Sequence, residues 1–149
     1  MKTLQFNRLL KGTLLTLVSV MMIFFFDSCA TKASFLNSSV VPAAQGTVKV
    51  KKDGNKNYVI HIKLSNLAES TRLQPPKKTY VVWMETDNNM TKNIGQIVSS
   101  TDFLSKKLKG SMETVSSFKP KRIFLTAEDD ANTQYPSSDS VIVLTTNNF

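Results

Sequence analysis

"QGTVKVKKDGNKNYVIHIKLSNL", residues 45–67, alternates apolar and polar side chains with a period of two. Val48 and Val50 fall on one face against Lys49 and Lys51, and after a break Tyr58, Ile60, Ile62 and Leu64 share a face. His61 and Lys63 lie with Val59 on the other side. A period of two is the side-chain repeat of a β-strand. Between the two runs "KDGNKN" carries Asp53-Gly54, a strong hairpin signal. The segment therefore reads as an antiparallel hairpin with one wet face.

The same reading extends towards the C-terminus. "AESTRLQPPKK" interrupts the pattern, since Pro75-Pro76 excludes both a helix interior and a central strand. "TYVVWMET", residues 79–86, is apolar on both faces, with Tyr80, Val82 and Met84 against Val81 and Trp83, as expected of a central strand. "DNNMTK" turns the chain and "NIGQIVSS" returns it. "SKKLKGSMETV" reads as one strand or a broken pair around Gly110. "KRIFLTAED" and "SVIVLTT" are two further β-branched runs, separated by the turn-rich "DDANTQYPSSD". No window after residue 44 sustains helical apolar spacing. The expected fold is all-β: an immunoglobulin-like antiparallel sandwich of about six to eight strands over residues 44–149.

Ahead of it lie a charged start and an apolar run. Lys2, Arg8 and Lys11 precede a charge-free stretch from Gly12 to Phe26. As a helix that stretch spans roughly 22 Å, short of the ~30 Å hydrocarbon core. A positive flank, a short apolar run and small residues have the order of a secretory signal, here residues 1–28. The lone cysteine, Cys29, follows at once. Setting the first 28 residues aside leaves 16 Lys and Arg against 10 Asp and Glu, a net charge near +6 rather than +8. One cysteine makes no internal disulfide, and one histidine supplies no multi-histidine metal site.

Phe26-Asp27-Ser28-Cys29 resembles the lipobox that ends the signal of bacterial lipoproteins, departing from the usual pattern at Phe26 and Asp27. The resemblance implies cleavage between Ser28 and Cys29, a diacylglyceryl group on the Cys29 thiol, and acylation of the new amine. Two or more acyl chains suffice for firm membrane attachment. Ala30 stands where an aspartate marks inner-membrane retention in that family, so the implied address is the outer membrane, facing the periplasm. Ser28-Cys29-Ala30 also satisfies a small-x-small cleavage rule, which would release a soluble secreted or periplasmic protein; an uncleaved anchor is the third option. Residues 30–43, "ATKASFLNSSVVPA", read as a tether reaching roughly 45 Å. Docking of Phe35, Leu36, Val40 and Val41 as an edge strand is the alternative.

From Tyr80 to Thr145 the chain is similar to the extracytoplasmic C-terminal domain of anti-sigma-K-type regulators. The similarity is carried by Tyr80-Val-Val-Trp83, Asn93-Ile-Gly95-Gln96, Ile123-Phe-Leu-Thr-Ala-Glu128 and Pro136-Ser-Ser. It implies a β-sandwich. It does not extend to sigma-factor binding, which in that family belongs to a cytoplasmic helical region; only about eleven residues precede the apolar run here.

Candidate chemistry is sparse. His61 lacks a second imidazole and reads as an exposed strand residue. Glu128, Asp129 and Asp130 could offer oxygen ligands to Ca²⁺, but the spacing fits a solvated turn better. Glu85 and Asp87 flank a turn, where charge is expected, and Trp83 with Tyr80 reads as core rather than as a ligand platform. Two basic segments, Lys106, Lys107 and Lys109, and Lys119, Lys121 and Arg122, are the candidate partner surface. Outside the cytoplasm nucleic acid is not the expected partner, which leaves anionic head groups, an envelope protein or an envelope polymer. Strand lysines also oppose edge-to-edge aggregation with no ligand at all. The expectation is thus a lipid-anchored, non-enzymatic envelope sandwich that binds or scaffolds a partner without a cofactor. The alternative is a small-ligand or sensory domain beside an envelope-stress regulator.

Overall fold

The computed structural model describes residues 30–97, 100–101 and 108–149, with backbone alone at 100, 101 and 108. The expectations for residues 1–29, including Cys29, and for Lys106 and Lys107 lie outside the described residues. Nine strands follow in order: β1 (Ala30–Ser34), β2 (Gln45–Lys52), β3 (Tyr58–Leu67), β4 (Thr79–Thr86), β5 (Thr91–Ile97), β6 (Ser100–Thr101), β7 (Leu108–Ser116), β8 (Pro120–Glu128) and β9 (Val141–Thr145). They form two antiparallel sheets, β1-β2-β3-β7-β6 and β5-β4-β8-β9.

The orders β2-β3-β7-β6 and β5-β4-β8-β9 match the A-B-E-D and C′-C-F-G sheets of an immunoglobulin-type sandwich, with β1 added outside β2. The expected fold is therefore the observed one. The hairpin β2–β3 forms as its alternation requires, with Val48 opposite Ile62 and Val50 opposite Ile60. Its turn is set by the Asp53 carboxylate, which accepts the backbone N–H groups of Asn55 and Asn57, both at 2.8 Å. β7 runs unbroken through Gly110.

Val48, Ile60, Ile62 and Leu64 of one sheet face Tyr80, Val82, Met84, Ile123 and Leu125 of the other in a single core. Tyr80 reaches across the edge of that core, its hydroxyl donating to the Ala68 carbonyl at 2.9 Å, and burial pushes its pKa up to about 12. Residues 30–43 dock on the domain rather than stand off as a tether, but the edge strand is Ala30–Ser34 and not residues 35–41, and Leu36 stays exposed. β1 pairs with β2 along its length, and Phe35 and Val41 are buried. The reason is apolar area: a free tether would leave Phe35 and Val41 in water, and burying each is worth about 1.5–3 kcal/mol. Beyond Ser34 the chain crosses to the other sheet, where Phe35 bridges Thr146 and the Leu36 N–H donates to the Thr145 carbonyl.

Gly46 and Gly110 flank Leu64 in one register row. A Cβ at Gly46 would overlap the Leu64 side chain and come within 2.9 Å of Phe35 and of the Lys63 carbonyl; at Gly110 it would overlap Ile97. The missing methyl groups make room for the residues that close both sides of the sandwich. Gly46→Ala is expected to destabilise the domain by about 1–3 kcal/mol in urea unfolding. Gly54→Ala, where the space is open, should change it by less than about 0.5 kcal/mol. Equal effects of the two would contradict this packing.

Candidate functional site

Alternate residues of β1, β2, β3 and β7 point away from the core and build the outer face of the larger sheet. Register places Lys32, Lys49, His61 and Glu113 in one row across four strands. The next row is Ser34, Thr47, Lys63 and Ser111, and on the other side lies Ala30, Lys51, Val59 and Val115. Glu113 is the single carboxylate in these three rows, and it holds His61, with Nδ1 3.1 Å from Oε2. Among the described residues Lys32, Lys49 and Lys63 have no acidic partner. Lys32, Thr47, Lys49, His61 and Lys63 line a shallow groove of about 440 Å³.

Lys32 stands directly opposite Lys49. Like charges at opposed positions of an antiparallel pair disfavour the sheet by some tenths of a kcal/mol, up to about 1. An anion between the two ammonium groups would reverse the sign of that term. Lysine supplies compact charge and three rotatable donors but no planar fork, so the groove suits phosphate or carboxylate groups without demanding one geometry.

The smaller sheet has a different reverse face. Val81, Trp83 and Phe124 form a second buried cluster there, with Trp83 and Phe124 stacked at 6.4 Å. Immunoglobulin domains turn the tryptophan of this strand into the main core. Here Tyr80, Val82 and Met84 occupy the inward positions, so Trp83 faces out and needs a cover. Residues 129–140 are tied across it. Trp83 Nε1 donates to Thr126 Oγ1 at 2.7 Å, Thr126 donates to Glu128 Oε1 at 2.6 Å, and the Ser137 N–H donates to the same oxygen. Glu128 is fully buried, and its Oε2 has no hydrogen-bond partner among the described residues.

The loop is also pinned from its flanks. A bulge on β5, where Ile94 is the extra residue opposite the Val82–Trp83 step and Gly95 has φ of 135°, aims Asn93 so that its Nδ2 donates to the carbonyls of Ala131 and Thr133. Lys77, only 3% exposed, donates to Asp129 at 2.9 Å and to Asp139 at 2.5 Å. These two contacts, Asp139 foremost, outweigh burial and raise the Lys77 ammonium above its ordinary 10.5. The Lys77 hydrogen bond in turn holds the Asp139 carboxyl below its ordinary 3.8. The carboxylates expected in a solvated acidic turn are thus divided: Glu128 serves the buried relay and Asp129 serves Lys77. An open cleft of about 640 Å³ separates this loop from β5, lined by Asn93, Gln96, Thr133 and Tyr135 among others.

Of the first basic segment only Lys109 lies among the residues with described side chains, and it is not adjacent to the second segment. Lys109 is exposed near the start of β7, whereas Lys119, Lys121 and Arg122 lie beyond its far end. The latter group is met by acids: Arg122 Nη2 lies 2.6 Å and Lys121 3.4 Å from Glu85, and Lys119 lies 3.7 Å from Asp87. Burial alone would raise the Glu85 carboxyl, but Arg122 and Lys121 hold it below the usual range. Glu85 and Asp87 are therefore ion-pair partners rather than an acid–base pair. Lys32, Lys49 and Lys63, absent from the expected surface, have the stronger claim. Their outward alternation is visible in sequence; their convergence depends on β1 joining β2.

The Lys77 clasp has a defined pH window. The Asp139 contribution is present above pH 3.8 and is lost as the pH falls through its depressed folded value. The Lys77 contribution is present below pH 10.5 and is lost as the pH rises through its elevated folded value. Lys77→Met should lower stability at pH 7, and the gap from wild type should narrow in urea titrations repeated below pH 3. An unchanged gap in acid would show that the ion pairs do not hold the loop.

No known protein family, curated protein or solved structure matches this chain, so a functional reading starts from its own geometry.

Proposed function

We propose that the chain is a lipid-anchored, non-enzymatic module of the bacterial cell envelope. In this reading residues 1–28 are removed, Cys29 carries the lipid, and the domain stands on the outer membrane facing the periplasm. Its larger sheet binds an anionic envelope polymer through Lys32, Lys49 and Lys63. The observation that carries the binding role is the like-charged Lys32–Lys49 pair at the edge of an open groove, where the fold keeps a repulsion that a polyanion would relieve. Anchoring adds effective concentration: a module confined to a surface meets immobile polymer repeatedly, so weak single contacts sum to durable attachment. A second reading, a small-ligand or sensory domain beside an anti-sigma-type regulator, draws on the polar cleft between β5 and residues 129–140.

Two measurements test the proposal separately. Cys29→Ala should abolish incorporation of labelled palmitate and leave unprocessed precursor; normal maturation of the variant would end the lipoprotein reading. Lys32→Gln combined with Lys49→Gln and Lys63→Gln should weaken binding of polyphosphate or polygalacturonate at least about tenfold, while the melting temperature holds or rises because a repulsion has been removed. Binding equal to wild type would move the partner surface off this face.

A further inference from the structure

One end of the sandwich combines the start of β1, exposed apolar side chains and unbalanced positive charge. Ala30 shares its row with Lys51, Val59 and Val115, one residue from the row of Lys52, Tyr58 and Ser116. Beyond that row lie the β2–β3 turn and the β7–β8 link, and Thr86 opposite Pro120 brings the β4–β5 turn to the same end. Phe118 and Met90 are exposed there by 39% and 41%. Lys92 Nζ lies 4.3 Å from the centre of the Phe118 ring, and Lys121 donates to Asn89 at 2.6 Å, so link and turn form one surface.

Charge divides along the long axis of the domain. This end carries Lys52, Lys56, Lys92, Lys119, Lys121 and Arg122 against Asp53, Glu85 and Asp87. At the opposite end Asp129, Asp130, Asp139 and Glu69 are matched among the described residues by Arg72, Lys77, Lys78 and Lys109. An anionic surface therefore attracts the first end more strongly than the second. β1 begins at Ala30, which leaves one peptide step, about 3.8 Å, between Cys29 and the folded domain.

We propose that this end docks on an anionic phospholipid surface, with Phe118 and Met90 seated at the headgroup boundary and Lys52, Lys56 and Lys92 facing lipid phosphates. The inference rests on the membrane-anchored reading above and adds an orientation to it. Stable attachment commonly combines a lipid chain with a basic patch, and each lysine held at an anionic surface strengthens binding about fivefold. Docked this way, the domain holds its cationic sheet face upright beside the bilayer rather than flat against it.

The full chain, reconstituted in phosphatidylglycerol-rich nanodiscs with nitroxide-labelled headgroups, tests the orientation by NMR relaxation. Resonances of residues 53–57, 87–90 and 117–119 should broaden while residues 129–140 stay sharp, and Lys52→Glu with Lys56→Glu should remove the difference. On wild type, raising the salt concentration should do the same without any substitution. Uniform broadening, or broadening at residues 129–140, overturns the docking. Intact mass of the same preparation reports on the anchor independently. An unmodified Cys29 rejects lipidation whatever the relaxation pattern, and an acylated Cys29 with uniform broadening rejects the docking alone.

Discussion

A strand that is apolar on both faces has to be covered twice, and β4 sets that requirement for the whole domain. One face meets the larger sheet, which explains the sandwich. The other carries Val81 and Trp83, and its cover explains the long connection between β8 and β9. Burying an indole brings its N–H along, and an unpaired buried donor costs about 1–3 kcal/mol. Thr126 accepts that N–H and donates its own hydroxyl to Glu128, so a buried carboxyl is retained as the terminus of a short polar chain. The cost of hiding Glu128 is offset in part, by a side-chain and a backbone donor on Oε1, and Lys77 keeps the covering loop in place.

The local pattern carried the fold further than it carried the surface. Alternation in residues 45–67 and the double apolarity of residues 79–86 report their own strands, because each depends on which side of a pleat is buried. Phe35 and Val41 were ambiguous because isolated apolar residues among Ser, Asn and Pro have no period to display. The route of residues 129–140 was hidden for a different reason. Their turn-rich composition describes solvent exposure along the segment, whereas their anchors, Lys77 and Asn93, come from distant parts of the chain. Lys32 joins Lys49 and Lys63 only through strand order, which no local window contains.

Net positive charge has different meanings at different places on this molecule. Lys119, Lys121 and Arg122 are as dense a basic run as any after the signal-like segment, yet β4 and its turn set Glu85 and Asp87 against them. The sheet-face lysines are spread through three strands and look unremarkable in sequence. Across the strands they adjoin one another, leaving a positive field with a single carboxylate in its rows among the described residues. Spacing between charges in three dimensions, rather than their count along the chain, separates a binding surface from an internally balanced one.

The bridge between Phe35 and Thr146 joins segments more than a hundred positions apart. Loop closure of that length is paid late, so this seam belongs among the last contacts to form. A chain delivered N-terminus first would have β1 and β2 available long before β9 arrives. The half-built domain would then expose the Phe35 side of its core until Thr146 arrived. Completion of the sandwich therefore waits on β9, and the interval before it is when a chaperone would find its substrate.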